Sequence, residues 1–351
     1  MDLPVEFPPA PMLAKAAKMI PPADAVEGGY AYEPKWDGFR TLIARDGQQV
    51  QIAGRSGKDL TRYFPELPPA LLQQLPPRCV LDGELVVRSG EPGAQRLDWE
   101  ALSARIHPAA SRVTLLAEQT PAEFIAFDIL ALGDEDLTGH SFADRRERLE
   151  RALSESAAPV HLTRITGDAG EARQWFETFE GAGLDGVIAK AWQGTYQQGK
   201  RTMVKIKHAR TAEAVLLGYR VHKSGTGVGS LLLGMYTDGG DLVNVGGISA
   251  FTNKRRAELV SELQPWVVTD DDGEPVLGET DRSRFSAGKD ISFVRLRPER
   301  VVEVAFDQLE GNRFRHAVQF VRWRPDRDPA SCTLDQVDRA VGYDLDEVLA
   351  T

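Results

Sequence analysis

Short apolar runs broken by turn residues set the pattern of the first half of the chain. Residues 30–34 and 38–44 read as two strands, an Asp46-Gly47 pair as a hairpin turn, and the following residues through Ile52 as a third strand. Lys35 therefore falls between strands. Residues 79–87 and 124–130 are further β-rich runs. Residues 141–153 carry a helical pattern, with Ser141 placed to cap the amide of Asp144. A second helix is predicted over 172–179. Residues 186–190 and 203–207 read as short buried strands with charged residues at their ends. Up to about His208 the pattern is mixed α and β.

After Thr211 the texture changes. Residues 214–217, 231–233 and 242–245 are apolar runs separated by glycine-rich turns, and 293–296, 301–306 and 318–323 add further strands. A helix over 253–263 fits between them, and a small five-stranded barrel is the economical arrangement. Residues 268–281, rich in Asp, Gly and Glu, are expected to form an exposed loop, and 325–329 to end the barrel before a C-terminal tail. No internal repeat is evident.

Composition narrows the class. A chain of 351 residues with 42% hydrophobic content can build two domains, each with its own core. The N-terminus lacks a basic start followed by an apolar stretch, and no apolar run approaches membrane-spanning length, so a cytoplasmic protein with no membrane partner is expected. Cys79 and Cys332 are too few for a four-cysteine zinc site and too far apart in sequence to suggest a redox pair. The six histidines show no paired metal-ligand spacing. A formal charge of −10 argues against a wholly basic nucleic-acid binder, which moves attention to local clusters in the last third: Lys254 to Arg256, Arg295 with Arg297, Arg313 with Arg315, and Arg322 with Arg324.

The chemistry centres on Lys35-Trp36-Asp37-Gly38-Phe39-Arg40, which pairs a lysine with a glycine turn and an arginine suited to phosphate. Average residue usage yields K-x-D-G by chance in roughly one chain in ten of this length, so the motif needs support. Lys205 and Lys207 supply some. At alternating positions of one strand they share a face, where they could grip phosphate or disfavour the charged form of Lys35. Asp82-Gly83-Glu84 and Asp185-Gly186 place carboxylates beside apolar strands, suited to a hard cation or a ribose.

These elements, in order, resemble the covalent nucleotidyltransferases, specifically the ATP-dependent DNA ligases, and most closely bacterial ligase C and the ligase module of bacterial ligase D. The resemblance spans nearly the whole chain. Lys35-Trp36-Asp37-Gly38 is similar to the nucleophile motif, with Arg40 in place, and Gly54-Arg55-Ser56-Gly57 to the arginine-containing motif that follows. Leu81-Asp82-Gly83-Glu84-Leu85 is similar to the third motif, whose glutamate approaches the ribose. Phe124 to Asp128 resembles the segment that stacks Phe127 on adenine. Asp185 to Lys190 is similar to the fourth motif, with Asp185 where family members often have Glu, and with Ile188 on adenine's other face. Lys205-Ile206-Lys207 resembles the fifth motif, and Arg324-Pro325-Asp326-Arg327 the last, with Arg327 replacing a lysine.

The resemblance implies an α+β nucleotidyltransferase (adenylation) domain over 1–209, followed by a β-barrel OB-fold domain with a C-terminal tail over 210–351, with a hinge near 209–211. It implies an ATP-dependent DNA ligase that seals 5′-phosphate/3′-hydroxyl nicks through a lysine-AMP intermediate, in DNA repair. Lys35, Arg40, Lys205, Lys207, Arg324 and Asp326 are the implied catalytic set. Glu33, Lys35, Arg40, Arg55, Glu84, Phe127, Ile188, Lys205 and Lys207 are the implied nucleotide contacts. Asp185 and Glu84 are implied to hold Mg²⁺ or Mn²⁺. ATP, with AMP carried on Lys35, is the implied cofactor, and nicked double-stranded DNA the implied partner of a monomer that works in the bacterial cytoplasm and on the nucleoid, with other DNA-repair proteins as further partners. RNA ligases and GTP-using capping enzymes share much of this pattern, and a non-catalytic OB-type single-strand binder is the reading from a different class.

Overall fold

The computed structural model describes residues 1–208, 210–279, 292–307, 309–337 and 342–349. The chain divides into two compact units: Met1–Lys207 with Ala340–Thr351, and His208–Arg339.

The first unit is built on two sheets. One has four strands in the order Leu13–Ala17, Arg201–Lys207, Gly186–Ala191 and Tyr30–Lys35; its first pair is parallel and the others antiparallel. The other runs Gln49–Gly54, Phe39–Asp46, Arg78–Ser89, Ala122–Leu132 and Glu135–Asp136. The short strands Arg96–Leu97 and Val160–Leu162 are added at its side. Period-two alternation explains the layering. On Phe39–Asp46, Ile43 joins a core with Phe64, Leu67 and Leu71 of the Leu67–Gln74 helix region. Its neighbours Leu42 and Ala44 point the other way and pack with Val80, Leu130, Tyr196 and Met203 between the two sheets. The outer face of the four-stranded sheet, through Tyr32, Val187 and Val204, buries against Ala172 of the helix Ala169–Thr178. The helix Phe142–Ala152 starts as its sequence predicts, with the Ser141 hydroxyl accepting from the Asp144 amide at 3.2 Å.

A buried ion pair fastens that helix to the sheet. Arg145 donates through Nε and Nη2 to the two carboxylate oxygens of Asp128 at 2.7 and 3.0 Å, with the two side chains 0% and 1% exposed.

The C-terminal segment returns to this unit. Leu345 and Val348 of the helix Leu345–Leu349 bury in a cluster with Trp36, Trp175, Phe179 and Leu184. Asp346 pairs with Arg88 at 2.6 Å, and the Leu345 amide donates to the Gln95 carbonyl at 2.8 Å. The sequence division at 209/210, with everything after it assigned to the second domain, is corrected here. An apolar pair spaced three residues apart finds its cover on Trp175 and Phe179.

The second unit is a curled antiparallel sheet of OB-fold type. Its longest strand, Arg210–Val221, pairs along one edge with Val228–Tyr236. Along the other it pairs first with Val301–Phe306 and then, past a bulge, with Ser292–Arg295. Leu242–Ile248 and Gln319–Trp323 extend the sheet, and the helix Asn253–Leu263 buries Leu259 and Leu263 in its core. The segment expected as a plain loop over 268–281 holds a short strand, Leu277–Glu279, paired with Ser292–Arg295; Gly278 gives the Phe293 ring room to lie across it. Of the expected hinge, Ala209 lies outside the described residues, while Arg210 and Thr211 open the long strand.

Candidate active site

Strand register aligns the expected residues in rows. In the four-stranded sheet Lys35, Gly186 and Lys207 lie side by side across three strands; two residues along, Glu33, Ile188 and Lys205 form the next row. Side chains two apart share a face, so Glu33 and Lys35, and likewise Lys205 and Lys207, project together. Immediately after Lys35 the chain crosses into the larger sheet, and Gly38 is what lets it cross: a methyl group there would run into the Leu85 carbonyl oxygen. Gly186 has φ +138° and would likewise clash with the Ile206 carbonyl. The motif glycines thus let backbones meet where Lys35 emerges.

Lys35 and Lys207 converge on one carboxylate oxygen. Their Nζ atoms lie 2.5 and 2.7 Å from Asp185 Oδ2. Burial works to raise Asp185, but the two ammonium groups outweigh it and hold the carboxyl below its ordinary value. The cation crowding expected of this cluster falls on Lys205. It is lowered by burial first and then by the charges of Lys207, Lys35 and the exposed Arg55.

The larger sheet faces this group with Arg40, Glu84 and Phe127. Arg40 and Glu84 are cross-strand partners. Glu84 Oε1 accepts from the Gly38 amide at 3.2 Å, and burial pushes its carboxyl up to about 7 against the pull of Lys35 and Arg40. Phe127 is the extra residue of a β-bulge: Asp82 pairs with Asp128 and Gly83 with Ala126, leaving Phe127 between them. Its ring takes the Arg40 guanidinium at 5.0 Å and the Lys190 ammonium at 4.7 Å.

Two features escaped the sequence reading. Asp82, read there with Glu84 as suited to a cation or ribose, is fully buried and clamps Arg40. Lys190 bridges the sheets, pairing with Glu33 Oε2 at 2.7 Å and donating to the Phe127 carbonyl at 3.0 Å. Burial raises Glu33, with Lys190 and Arg146 opposing, and its other oxygen, Oε1, is buried without a hydrogen bond. A lysine closing an apolar strand was the available signal for Lys190.

Arg324 and Asp326 belong to the second unit. Arg324 grips Asp326 through Nε at 3.0 Å and Nη2 at 2.9 Å and also pairs with Glu213. Much of the basic character noted in the sequence is engaged in this unit as well: Arg255 pairs with Glu262, Arg322 with Glu303 and Arg297 with Glu299, while Arg256 donates to three backbone carbonyls.

The carboxyl of Glu84 gives a pH prediction. Its ordinary value of 4.5 is raised to about 7 on folding, so the folded state holds the extra proton between those values. The associated stabilisation is full below about pH 4.5 and is lost as pH rises through about 7. Glu84→Gln should therefore raise the melting temperature at pH 8 and leave it unchanged at pH 4; equal shifts at both pH values would refute the assignment.

A lysine at the seam of two sheets, flanked by cations on neighbouring strands and followed in the chain by an OB-type unit, defines the class as a covalent nucleotidyltransferase. Residues 11–207 match the ATP dependent DNA ligase domain and residues 224–327 the ATP dependent DNA ligase C terminal region. The chain is 54% identical over 354 residues to DNA ligase C1 of Mycolicibacterium smegmatis, covering 99% of each chain. It is 52% identical over 364 residues to DNA ligase C of Mycobacterium tuberculosis, again covering 99% of each. The solved structure of a Lig E DNA ligase shares the fold at TM-score 0.55 and 18% identity, over 89% of this chain and 99% of that one. The chain belongs to the ATP-dependent DNA ligase family. Among the described residues, no helix is long and apolar enough to cross a membrane.

Proposed function

We propose that this ATP-dependent DNA ligase seals 5′-phosphate/3′-hydroxyl nicks in double-stranded DNA as a monomer in the cytoplasm, in the service of DNA repair. The convergence of Lys35 and Lys207 on Asp185 carries the reading, because it holds an amine beside fixed positive charge, the arrangement that capture of a phosphoryl group calls for.

In the first step Lys35 releases its ammonium proton to solvent and the resulting amine attacks the α-phosphorus of ATP. A P–N bond forms, the bond to the bridging oxygen breaks, and pyrophosphate departs with the electron pair. Arg40, Lys205 and Lys207 offset the charge that builds on the phosphoryl oxygens, and their preorganised positions reduce the reorganisation required. Phe127 and Ile188 take the two faces of adenine. Glu33, in the same row as Ile188 and Lys205, completes the nucleotide contacts on this sheet. Arg55 and Glu84 approach the ribose, and Arg324 with Asp326 acts on the pyrophosphate side. In the second step an oxygen of the nick 5′-phosphate displaces Lys35 from the adenylate; in the third, the 3′-hydroxyl attacks that 5′-phosphorus and AMP leaves.

Among the described residues no cluster of three or more His, Cys, Asp or Glu side chains could hold a metal. Asp185 and Glu84 suit an ion that arrives with the nucleotide and takes most of its ligands from phosphate and water, as Mg²⁺ or Mn²⁺ does. When bound, such an ion neutralises phosphate charge.

Incubation with α-labelled ATP or GTP and Mg²⁺, followed by a denaturing gel and a chase with nicked DNA or nicked RNA, tests the reading. Label should come from ATP alone and be discharged by DNA. Labelling by GTP, or discharge only by RNA, would overturn it.

A further inference from the structure

Tyr196 lies in the connection between strands Gly186–Ala191 and Arg201–Lys207, outside every motif singled out in the sequence. It is 5% exposed, and its hydroxyl donates to Asp82 Oδ2 at 2.6 Å while accepting from the Met12 amide at 3.0 Å. The amide fixes which way the hydroxyl proton points. An oxygen accepting from Met12 turns its hydrogen toward the carboxylate. Asp82 Oδ2 also takes Arg40 Nη2 at 2.6 Å, and Oδ1 takes Arg40 Nε at 2.8 Å. The clamp uses one edge of the guanidinium and leaves Nη1 outside it.

Asp82 is 0% exposed, so its two oxygens must be satisfied within the protein. A carboxylate held by Arg40 alone could swing with it. With the Tyr196 hydroxyl as a second donor on Oδ2, it is pinned independently of Arg40. Arg145 reinforces the tyrosine, its guanidinium lying 5.7 Å from the ring centroid.

We propose that Tyr196 is a positioning residue for adenylyl transfer: through Asp82 it fixes the Arg40 guanidinium in the orientation that meets the phosphoryl group. The proposal rests on the reading of Arg40 as a phosphate-contacting cation. Removing the hydroxyl leaves Arg40 charged and paired with Asp82, but with a carboxylate that no second donor holds in place. The loss should therefore appear in the limiting rate of lysine adenylylation more than in the ATP concentration that half-saturates it.

The test is single-turnover adenylylation of the full chain with α-labelled ATP for wild type, Tyr196→Phe, Arg40→Ala and the double variant. Tyr196→Phe keeps the ring and should lower the limiting rate about tenfold, as loss of one hydrogen bond to a charged group does, with half-saturation moved less than twofold. In the Arg40→Ala background the same substitution should change nothing, because the residue it acts through is gone. A change under twofold for Tyr196→Phe, or an equal slowing in both backgrounds, overturns the proposal while leaving Arg40's role intact. A normal rate for Arg40→Ala overturns the underlying reading of Arg40 itself. Should Tyr196→Phe fail to fold, Asp82→Asn carries the same comparison: it should slow adenylylation in the wild-type background and add nothing to Arg40→Ala.

Discussion

Lys35→Ala should abolish the lysine-bound adenylate and lower nick sealing from ATP by on the order of 10⁴-fold or more, because it removes the nucleophile itself. Around it Asp185, Lys207 and Arg40 would remain, and a methyl group in place of the amine strains nothing at a strand end that is partly open to solvent. The folded protein should therefore persist with a near-normal melting temperature. A nick already carrying AMP on its 5′-phosphate needs no lysine adduct, so its closure should survive to a far greater extent. Intact-mass measurement after incubation with ATP and Mg²⁺ checks the first part. An adduct that persists in the variant would place the nucleophile elsewhere.

The largest effect on stability is expected directly behind the site, at the residue that follows Phe127 and pairs across the strands with Asp82. Asp128→Ala should cost about 3–5 kcal/mol, because it strands the Arg145 guanidinium, 0% exposed, without its carboxylate. The Arg145 bonds to the His140 and Gly194 carbonyls remain, but they do not neutralise the charge. Replacing both partners by apolar residues of similar volume should recover most of the loss. Denaturant unfolding of the first-unit core reads the difference, and a loss below about 1 kcal/mol for Asp128→Ala would show that water or a neighbouring acid compensates the arginine.

The two effects mark how far the sequence could be read. That Lys205 and Lys207 share a face was legible because they alternate within one short strand, whereas Lys35 and Asp185, 150 positions apart, were singled out separately and their meeting left no trace in the spacing. The helix over Asn253–Leu263 was legible, with Leu259 and Leu263 one turn apart on its buried face, and the structure adds Thr252 as its cap. The bulge that turns Phe127 toward the site was not, because it depends on how Arg78–Ser89 and Ala122–Leu132 slip against each other. Asp82 and Tyr196 are 114 positions apart, and Arg88 and Asp346 are 258 apart. Neither pairing leaves a periodic trace, and a carboxylate beside a glycine looks the same whether it awaits a cation or already holds an arginine. The strand Leu13–Ala17, whose partner Arg201–Lys207 lies nearly the whole unit away along the chain, was hidden for the same reason.

Because the helix Leu345–Leu349 is seated on Trp175 and Phe179, the second unit is an insertion whose two ends both lead back to the first. A single peptide-bond break at the junction near 208–210 would leave the halves joined through the other connection, and apparent integrity on a native gel would then say nothing about whether the backbone is whole.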